Sequence, residues 1–435
     1  MRKLLIALVP LVAILVLAQT NWTVVKTFHI GGDGGWDYLT VDPATHHLYV
    51  PRGTHTLVID AESGKTIADI PGQKRAHGVA IAPDAGRGFI TDGGGEGAIE
   101  IFDLKSNAVL GTIAAQPDAD GIIFEPATKQ VLAVSGDKGV LMTLKPDIDP
   151  KTGKIDMPIE LGGAPEFLAS DGKGRVYINL MDKNEVAVVD IKARKVIARW
   201  PVAPGGAPVG MSIDTKNHRL FIGCRKPQKL IVMNADNGKV LADLPIGESV
   251  DATKFLDGQA FASCRDGSLA VAGETSPGKF EIVETVKTPL GARTMGADPV
   301  THTIYLPTAE FEEPKTAPGP EATPGTTPSP APARRPAPKP GSFMIVVVAR
   351  QQGEVTLYPR RGRLWRKLAL PVRRPALPFF VCDQSTWAQL YSGRVCSVSN
   401  PPRQVAGLGS PAVTMLPQRL PSRAALWLGI FWCSL

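Results

Sequence analysis

The sequence of 435 residues contains few of the residues that mark common catalytic and metal centres. It has five cysteines and seven histidines. It lacks a Cys-x-x-Cys-His motif, which excludes covalent attachment of a c-type haem, and the histidines are too scattered for a multinuclear copper site. A Gly-x-Ser-x-Gly nucleophile elbow and a glycine-rich phosphate loop are also absent. The sequence therefore lacks the usual motifs of serine hydrolases and of nucleotide-binding enzymes.

The excess of positive charge belongs to one end of the chain. The formal net charge is +7 overall, but residues 351–435 carry +9 by themselves, which leaves −2 for residues 1–350. Proteins that bind nucleic acid rely on positive charge to neutralise phosphates. We therefore do not expect nucleic acid to be a partner of the first 350 residues.

Both ends of the chain differ from its body. Arg2 and Lys3 precede an apolar run at 4–17 and a small-residue cleavage motif, which together indicate a signal peptide over 1–18. The run is short for a bilayer span, so we expect an exported periplasmic or extracellular protein without a transmembrane span after cleavage. An uncleaved anchor is the alternative.

The segment 351–435 is predicted to be a low-order basic tail. It shows neither helical nor strand periodicity, and it holds four of the seven tryptophans. One interpretation is a frameshifted or read-through sequence. The other is a genuine basic tail that binds anionic surfaces.

The body of the chain repeats a unit of about 40 to 45 residues, a period that is typical of propeller blades. Residues 37–70 show the unit as short β-branched and aromatic runs separated by Gly, Pro, Asp and Asn, the pattern of an antiparallel meander. Seven second strands align in register. They begin at Leu48, Gly88, Val131, Val176, Leu220, Ala260 and Ile304.

We therefore predict an all-β fold, a seven-bladed β-propeller over 19–350. An extra strand at 22–30 and a missing strand after Ala349 predict that the N-terminal strand closes the ring, which removes free sheet edges. Ten prolines at 312–341 predict a disordered insertion within blade seven. A ring of this size buries enough surface to be stable by itself, and we expect a monomer.

Several of these segments carry a family resemblance. Tyr49-Val50, Phe89-Ile90-Thr91-Asp92 and Tyr177-Ile178-Asn179, with their Val-Ile-Asp-x-x-x-Gly-Lys hairpins, resemble the YVTN-repeat β-propeller family and its YncE-like exported seven-bladed members. The resemblance covers 22–349 and implies the fold. It implies little about function, because the motif residues form turns and core. It adds single-stranded DNA binding as a third possible function beside the two described below. The negative net charge of residues 1–350 does not favour this function.

Candidate ligand-binding residues come from one repeated position. Propeller ligands bind at the axial mouth, which is lined by the loops that lead into the innermost strands. The candidates in these loops are Asp37, Arg75, His77, Asp120, Glu166, Asp251 and Arg293. Their four carboxylates would repel one another in one opening, so we expect shifted pKa values unless a cation, Arg293 or a ligand offsets them.

Two classes of function fit this mouth. A non-catalytic scaffold that binds a small-molecule or protein ligand is our prediction. A metal-assisted hydrolase of lactones or sugar esters is the alternative, and it would use the same carboxylates with His77. No motif implies a cofactor, although a divalent cation such as calcium suits carboxylates. Arg75 and Arg293 favour an anionic or sugar-like ligand instead, and a water-filled polar funnel is the plainest interpretation.

The remaining histidines and cysteines of the body have simpler interpretations. His46, His218 and His302 occupy one repeated turn position, so turn formation explains them without a metal. Cys224 and Cys264 are equivalent positions in adjacent blades, which places them too far apart for a disulfide. We predict buried free thiols, and a disulfide formed in an export compartment if the two blades tilt together is the alternative.

Overall fold

The computed structural model describes residues 21–313 and 336–351. The predicted signal peptide, the middle of the Pro-rich insertion and the basic tail beyond 351 lie outside the described residues. The described chain is nearly all β, with one short 3-10 helix, η1 (Pro83–Ala85). Within these ranges, no helix has the length and apolar character needed to cross a bilayer.

The strands are short and are separated by tight turns. The first twelve are β1 (Asn21–His29), β2 (Thr40–Asp42), β3 (His47–Pro51), β4 (Gly53–Asp60), β5 (Thr66–Ala82), β6 (Arg87–Asp92), β7 (Ala98–Asp103), β8 (Val109–Ala114), β9 (Ala119–Glu125), β10 (Gln130–Ser135), β11 (Val140–Leu144) and β12 (Ile159–Glu160). They are followed by β13 (Pro165–Ser170), β14 (Arg175–Leu180), β15 (Glu185–Asp190), β16 (Lys195–Pro201), β17 (Pro208–Asp214), β18 (Arg219–Arg225), β19 (Gln228–Asn234) and β20 (Val240–Pro245). The last are β21 (Val250–Leu256), β22 (Gln259–Cys264), β23 (Ser268–Ser276), β24 (Lys279–Lys287), β25 (Gly296–Asp298), β26 (Thr303–Thr308) and β27 (Met344–Gln351).

The strands of the described residues form six antiparallel sheets. Five have four strands each, and one joins β2 to β8 in sequence order. The long strand β5 links the halves of this larger sheet, because it pairs with β4 over 66–76 and with β6 over 76–82. We interpret the larger sheet as two four-stranded blades that share β5. The predicted count of seven blades rests on this interpretation.

The N-terminal strand completes the last sheet, as predicted. The strand order there is β1-β27-β26-β25, and β1 pairs with β27 from Asn21↔Gln351 to His29↔Met344. The innermost strands contact one another in a closed cycle through β2, β5, β9, β13, β17, β21 and β25. The sheets therefore surround one axis, which is the architecture of a β-propeller.

The core lies between neighbouring sheets. Trp22 of β1 packs edge-on against Phe261 of β22, with ring centroids 4.8 Å apart. Tyr49 of β3 and Phe102 of β7 lie 5.5 Å apart in another cluster. Aromatic side chains bury the largest apolar areas of any residue type. These contacts, between sheets in the first case and between the two halves of the larger sheet in the second, therefore stabilise the ring.

The recurring histidines are turn residues. His46, His218 and His302 adopt φ values of 57°, 54° and 55°, each in the turn that follows an innermost strand. The carboxylate at the end of the innermost strand stabilises such a turn: Asp42, the last residue of β2, accepts a hydrogen bond from the backbone N–H of Ala44 at 3.1 Å. These histidines lie at the end of the innermost strands opposite to the loops that lead into them.

The two described ends of the Pro-rich insertion pair with each other, and the rest of the predicted disordered segment 312–341 lies outside the described residues. Phe311 and Pro338 form an isolated β-bridge, and the Glu312 N–H donates to the Ala337 carbonyl at 2.9 Å. The ring of Phe311 lies 6.3 Å from that of Trp36. Phe311 therefore packs against Trp36 next to the insertion and brings the two ends of the insertion together. The proline content of the sequence does not predict this contact.

Candidate functional site at the axial mouth

The candidate residues share a backbone irregularity. His77, Asp120, Glu166 and Asp251 lie near the start of innermost strands or strand segments, where the pairing with the second strand shifts register. A β-bulge leaves a residue unpaired and redirects its side chain. Because the four bulges occupy equivalent positions, they direct these side chains toward one end of the axis.

At the mouth end of the axis, a polar side chain from the second strand of one sheet or blade forms a hydrogen bond with the backbone of the next one. Thr91 Oγ1 donates to the Asp120 carbonyl at 2.6 Å, and Ser263 Oγ donates to the Arg293 carbonyl at 2.5 Å. Asn179 Nδ2 donates likewise to the backbone of the sheet that follows, at 2.8 Å. Sequence reasoning treated the YVTN-like segments as turn and core formers and missed this positioning role.

Asp37, His77 and Asp120 form the acidic half of the mouth. His77 Nδ1 lies 2.7 Å from Asp37 Oδ2 and 3.5 Å from Asp120 Oδ1, and one ligand atom of each residue lies within 4.8 Å of the others. The His77 side chain is only 9% exposed. Its Nε2 is buried and has no hydrogen-bond partner among the described residues. With Nδ1 as the donor, the imidazole forms a hydrogen bond with Asp37, whereas Asp120 Oδ1 lies at ion-pair distance and has no hydrogen-bond partner among the described residues.

Burial and repulsion shift the pKa values of this half. Burial raises the pKa of Asp120 well above its ordinary value; His77 opposes this rise, and the charges of Asp37 and Glu166 add to it. Burial also raises the pKa of Glu166, and Arg225 offsets part of the rise. Burial lowers the pKa of His77, but the hydrogen bond with Asp37 and the charge of Asp120 more than compensate, so its pKa lies above the ordinary value. The two groups are linked, because the charge of Asp120 raises the pKa of His77 and the charge of His77 lowers the pKa of Asp120.

Arginine side chains form the other half of the mouth. The carboxylate of Asp251 is 5% exposed and lies between Arg225 and Arg293, each of which forms an ion pair with it. Arg293 Nη1 also lies 3.9 Å from Asp37 Oδ1. The two halves are therefore in electrostatic contact across one opening.

The structure brings six of the seven predicted residues to this opening. They are Asp37, His77, Asp120, Glu166, Asp251 and Arg293. Arg75 differs, because its side chain is 59% exposed and Nη1 pairs with Asp118 Oδ1 at 2.8 Å. Arg75 therefore lies at the rim of the mouth.

Sequence reasoning missed Arg225 although a signal was present. The signal is a repeated Cys-Arg pair, in which Arg225 follows Cys224 and Arg265 follows Cys264. The sequence analysis interpreted only the cysteines of these pairs. Both thiols are buried and free, as predicted. The arginines, rather than the cysteines, are the members of each pair that line the mouth.

Sequence reasoning also missed a phenol and an amine beside the acidic half. The ring of Tyr38 lies 4.6 Å from that of Phe167, and Lys254 Nζ lies 5.3 Å from the same Phe167 ring. Burial, followed by the charge of Asp120, raises the pKa of Tyr38 well above its ordinary value. Burial lowers the pKa of Lys254 to about 8.

Comparisons with known proteins agree with the resemblance seen in the sequence. No family model matches the chain. It is 26% identical over 167 residues to the uncharacterized protein YncE of Salmonella typhimurium (strain LT2) and 25% identical over 166 residues to that of Salmonella typhi. Each match covers 37% of this chain and 46% of the relative. The chain therefore spans about half the length of the curated relatives it matches.

Solved structures support the fold. A chain of Kuenenia stuttgartiensis hydrazine synthase is similar with a TM-score of 0.55 and 13% identity, over 64% of this chain and 94% of that one. A chain of the mitotic checkpoint complex is similar with a TM-score of 0.58 and 14% identity, over 70% of this chain and 95% of that one. At these identities the likeness shows the fold alone.

Proposed function

We propose that this chain is a non-catalytic binding protein that holds a small polar ligand in its axial mouth. The supporting observation is the convergence of charged side chains that are distant in sequence, with Asp37 and His77 on one side and Arg293 with Asp251 on the other. A ligand with one cationic or hydrogen-bond-donating part and one anionic part is complementary to both sides. Export directed by residues 1–18 would place this binding in the periplasm or outside the cell.

Replacement of both His77 and Asp120 by alanine is expected to weaken ligand binding at least about tenfold, because hydrogen bonds to charged groups each contribute roughly 1.5–3 kcal/mol. The fold should persist, since neither side chain belongs to the repeated core. The measurement is a thermal-shift screen of the parent protein with amino acids, sugar acids and hydroxy acids. Calorimetry of the hits with both proteins then gives the dissociation constants.

The matched control is the double replacement of His218 and Asp236 by alanine. These residues form a similar pair, with Nδ1 2.8 Å from Oδ1, but they are more exposed and His218 belongs to the turn at the opposite end of its strand. Ligands of the mouth should bind the control like the parent. Equal affinities of the two double variants would place the binding site elsewhere.

A metal-assisted hydrolase is the second candidate, and the grouping of Asp37, His77 and Asp120 favours it. Three protein ligands with an open position are the usual arrangement of a catalytic metal. The ring nitrogen nearest both carboxylates is Nδ1, which donates to Asp37 when protonated, so a metal at that position would have to replace its proton. For this reason we place binding first.

Metal analysis of the purified chain separates the two candidates. A stoichiometric divalent ion that is lost in Asp120→Ala, together with lactone hydrolysis that depends on it, would establish the hydrolase. Ligand binding in the presence of a chelator, without hydrolysis, is the result expected from the binding protein.

A further inference from the structure

We propose that Lys254 is a nucleophilic amine at the floor of the mouth that captures an aldehyde group of the ligand as a reversible imine. This inference rests on the proposed function and specifies the class of ligand. The geometry that carries it is the meeting of Tyr38, Phe167 and Lys254 on the axis. The ring of Phe167 lies 4.6 Å from that of Tyr38 and 5.3 Å from Lys254 Nζ.

These three side chains reach one another across the centre of the ring. Lys254 lies on β21 and Phe167 on β13, and the innermost strand β17 lies between these two strands in the cycle. Tyr38 precedes β2, whose neighbours in the cycle are β5 and β25. Sheets that are not neighbours in a ring face each other across its centre. The group therefore lies in the axial channel.

The group lies deeper in the channel than the charged residues of the mouth. Tyr38 and Phe167 each directly follow a mouth residue, and Lys254 is the third residue after Asp251. The chain runs away from the mouth along each innermost strand, so these side chains form its floor. Phe167 and Lys254 are half-buried rather than fully buried. Because they lie on the axis, a ligand that enters the mouth can reach the amine.

In the part of the chain that the structure describes, this amine has no partner of opposite charge. Lys254 Nζ forms neither a hydrogen bond nor an ion pair there, and it faces the ring of Phe167. Burial lowers its pKa to about 8, and no charge from Asp251 on the same strand or from Glu166 on β13 offsets this effect. A desolvated lysine is partly neutral near pH 7, and the neutral amine is the nucleophile that forms imines.

The capture is balanced without an oxidant or a reductant. The lone pair of Lys254 Nζ attacks the carbonyl carbon and forms the N–C bond of a carbinolamine. The two protons of the amine end on the carbonyl oxygen, which leaves as water while the C=N bond forms. The rings of Tyr38 and Phe167 restrict water beside this bond, which slows the reverse hydrolysis. Release of the ligand regenerates the amine, as a binding protein requires.

The test treats the full chain with acetaldehyde and sodium cyanoborohydride, which reduces the imine to a stable secondary amine, and locates the ethyl groups by peptide mass spectrometry. At pH 7, Lys254 is expected to react at least about tenfold faster than Lys216, which is exposed. About a tenth of an amine with a pKa of about 8 is neutral at pH 7, against less than about a thousandth of an ordinary lysine. The ratio of the two rates should fall as the pH rises to 10, because Lys216 then becomes neutral as well.

Two variants confirm which residue reacts. Lys254→Arg keeps a positive charge and Lys254→Met keeps the length of the side chain, and neither can form the imine. Each should lose the fast-reacting peptide while Lys216 reacts as in the parent, and either variant suffices if the other does not fold. Equal rates at Lys254 and Lys216 at pH 7, or a ratio that does not change with pH, would overturn the inference.

The outcomes also separate this inference from the proposed function. The double alanine variant of His77 and Asp120 is expected to retain the fast reaction, because neither residue contacts Lys254 in the structure. A reactive Lys254 in a protein whose ligands bind independently of His77 and Asp120 would contradict the proposed function alone. An unreactive Lys254 in a protein whose ligands depend on that pair would contradict the imine alone.

Discussion

Deletion of residues 19–30 is expected to unfold the protein, or to lower its free energy of unfolding by at least about 5 kcal/mol, which is a large part of the stability of a typical domain. The deletion removes β1 and its pairing with β27 along the whole strand. It also removes Trp22, which is 3% exposed and whose Nε1 donates to Gln259 Oε1 at 2.8 Å. Loss of a buried tryptophan side chain alone costs about 3–5 kcal/mol.

Denaturant unfolding followed by far-ultraviolet circular dichroism measures this effect. Two single replacements on the same strand provide the comparison, because Trp22 is buried whereas Val25 is 51% exposed. Trp22→Ala should lower the midpoint strongly, and Val25→Ser should change it little. A deletion variant with the midpoint of the parent would show that β1 does not close the ring in solution.

Replacement of Asp120 by Asn is expected to stabilise the protein at pH 8 by about 2 to 4 kcal/mol, since each unit of pKa shift is worth about 1.4 kcal/mol. The raised pKa of Asp120 arises first from burial and then from the balance of nearby charges. Asn keeps the side chain neutral at every pH. Ionisation of the buried carboxylate, and its cost, are therefore removed.

The direction of the pH dependence follows from proton linkage. A carboxyl group whose pKa is higher in the folded state contributes most stability below its unfolded pKa, and this stability is lost as the pH rises through the folded value. The pKa of His77 is also raised, so its contribution is likewise lost at high pH. The parent should therefore lose stability from pH 4 to pH 8 relative to Asp120→Asn.

The measurement is the difference in unfolding free energy between Asp120→Asn and the parent at several pH values, because acids elsewhere in the chain affect both proteins equally. Asp84→Asn is the control, since Asp84 is 77% exposed and its pairing with Lys129 at 3.3 Å should contribute no more than about 1 kcal/mol. A pH-independent difference between Asp120→Asn and the parent would contradict the shifted pKa.

The fold could be predicted because its determinants are local and repeated. Turn-forming Asp42 and Asp298 occupy the same position of the repeat, and second strands follow each of them six residues later, at Leu48 and Ile304. The extent of β5 could not be predicted in the same way. Pro71 and Gly72 indicate a turn, yet the strand continues through them because it pairs with different partners on its two sides.

The candidate site could be predicted in part. The repeat spacing located His77 and Asp120, because equivalent positions on a ring converge on one axis. It did not locate Arg225, whose importance depends on contact with Asp251 in the next sheet. It also gave no indication that bulges redirect these side chains, since a bulge is a property of strand pairing. Contacts of that kind depend on tertiary structure rather than on local sequence.

The shared strand β5 makes two blades dependent on each other. Ala76 pairs both with Gly53 of β4 and with Asp92 of β6, whereas β16 ends at Pro201 and β17 begins only at Pro208. If the pairing between β4 and β5 opens locally at Ala76, the backbone pairing between β5 and β6 is therefore disturbed as well. The two blades form one cooperative unit, and their amide protons should exchange with deuterated solvent at a common rate, while the sheet of β17 to β20 can open independently.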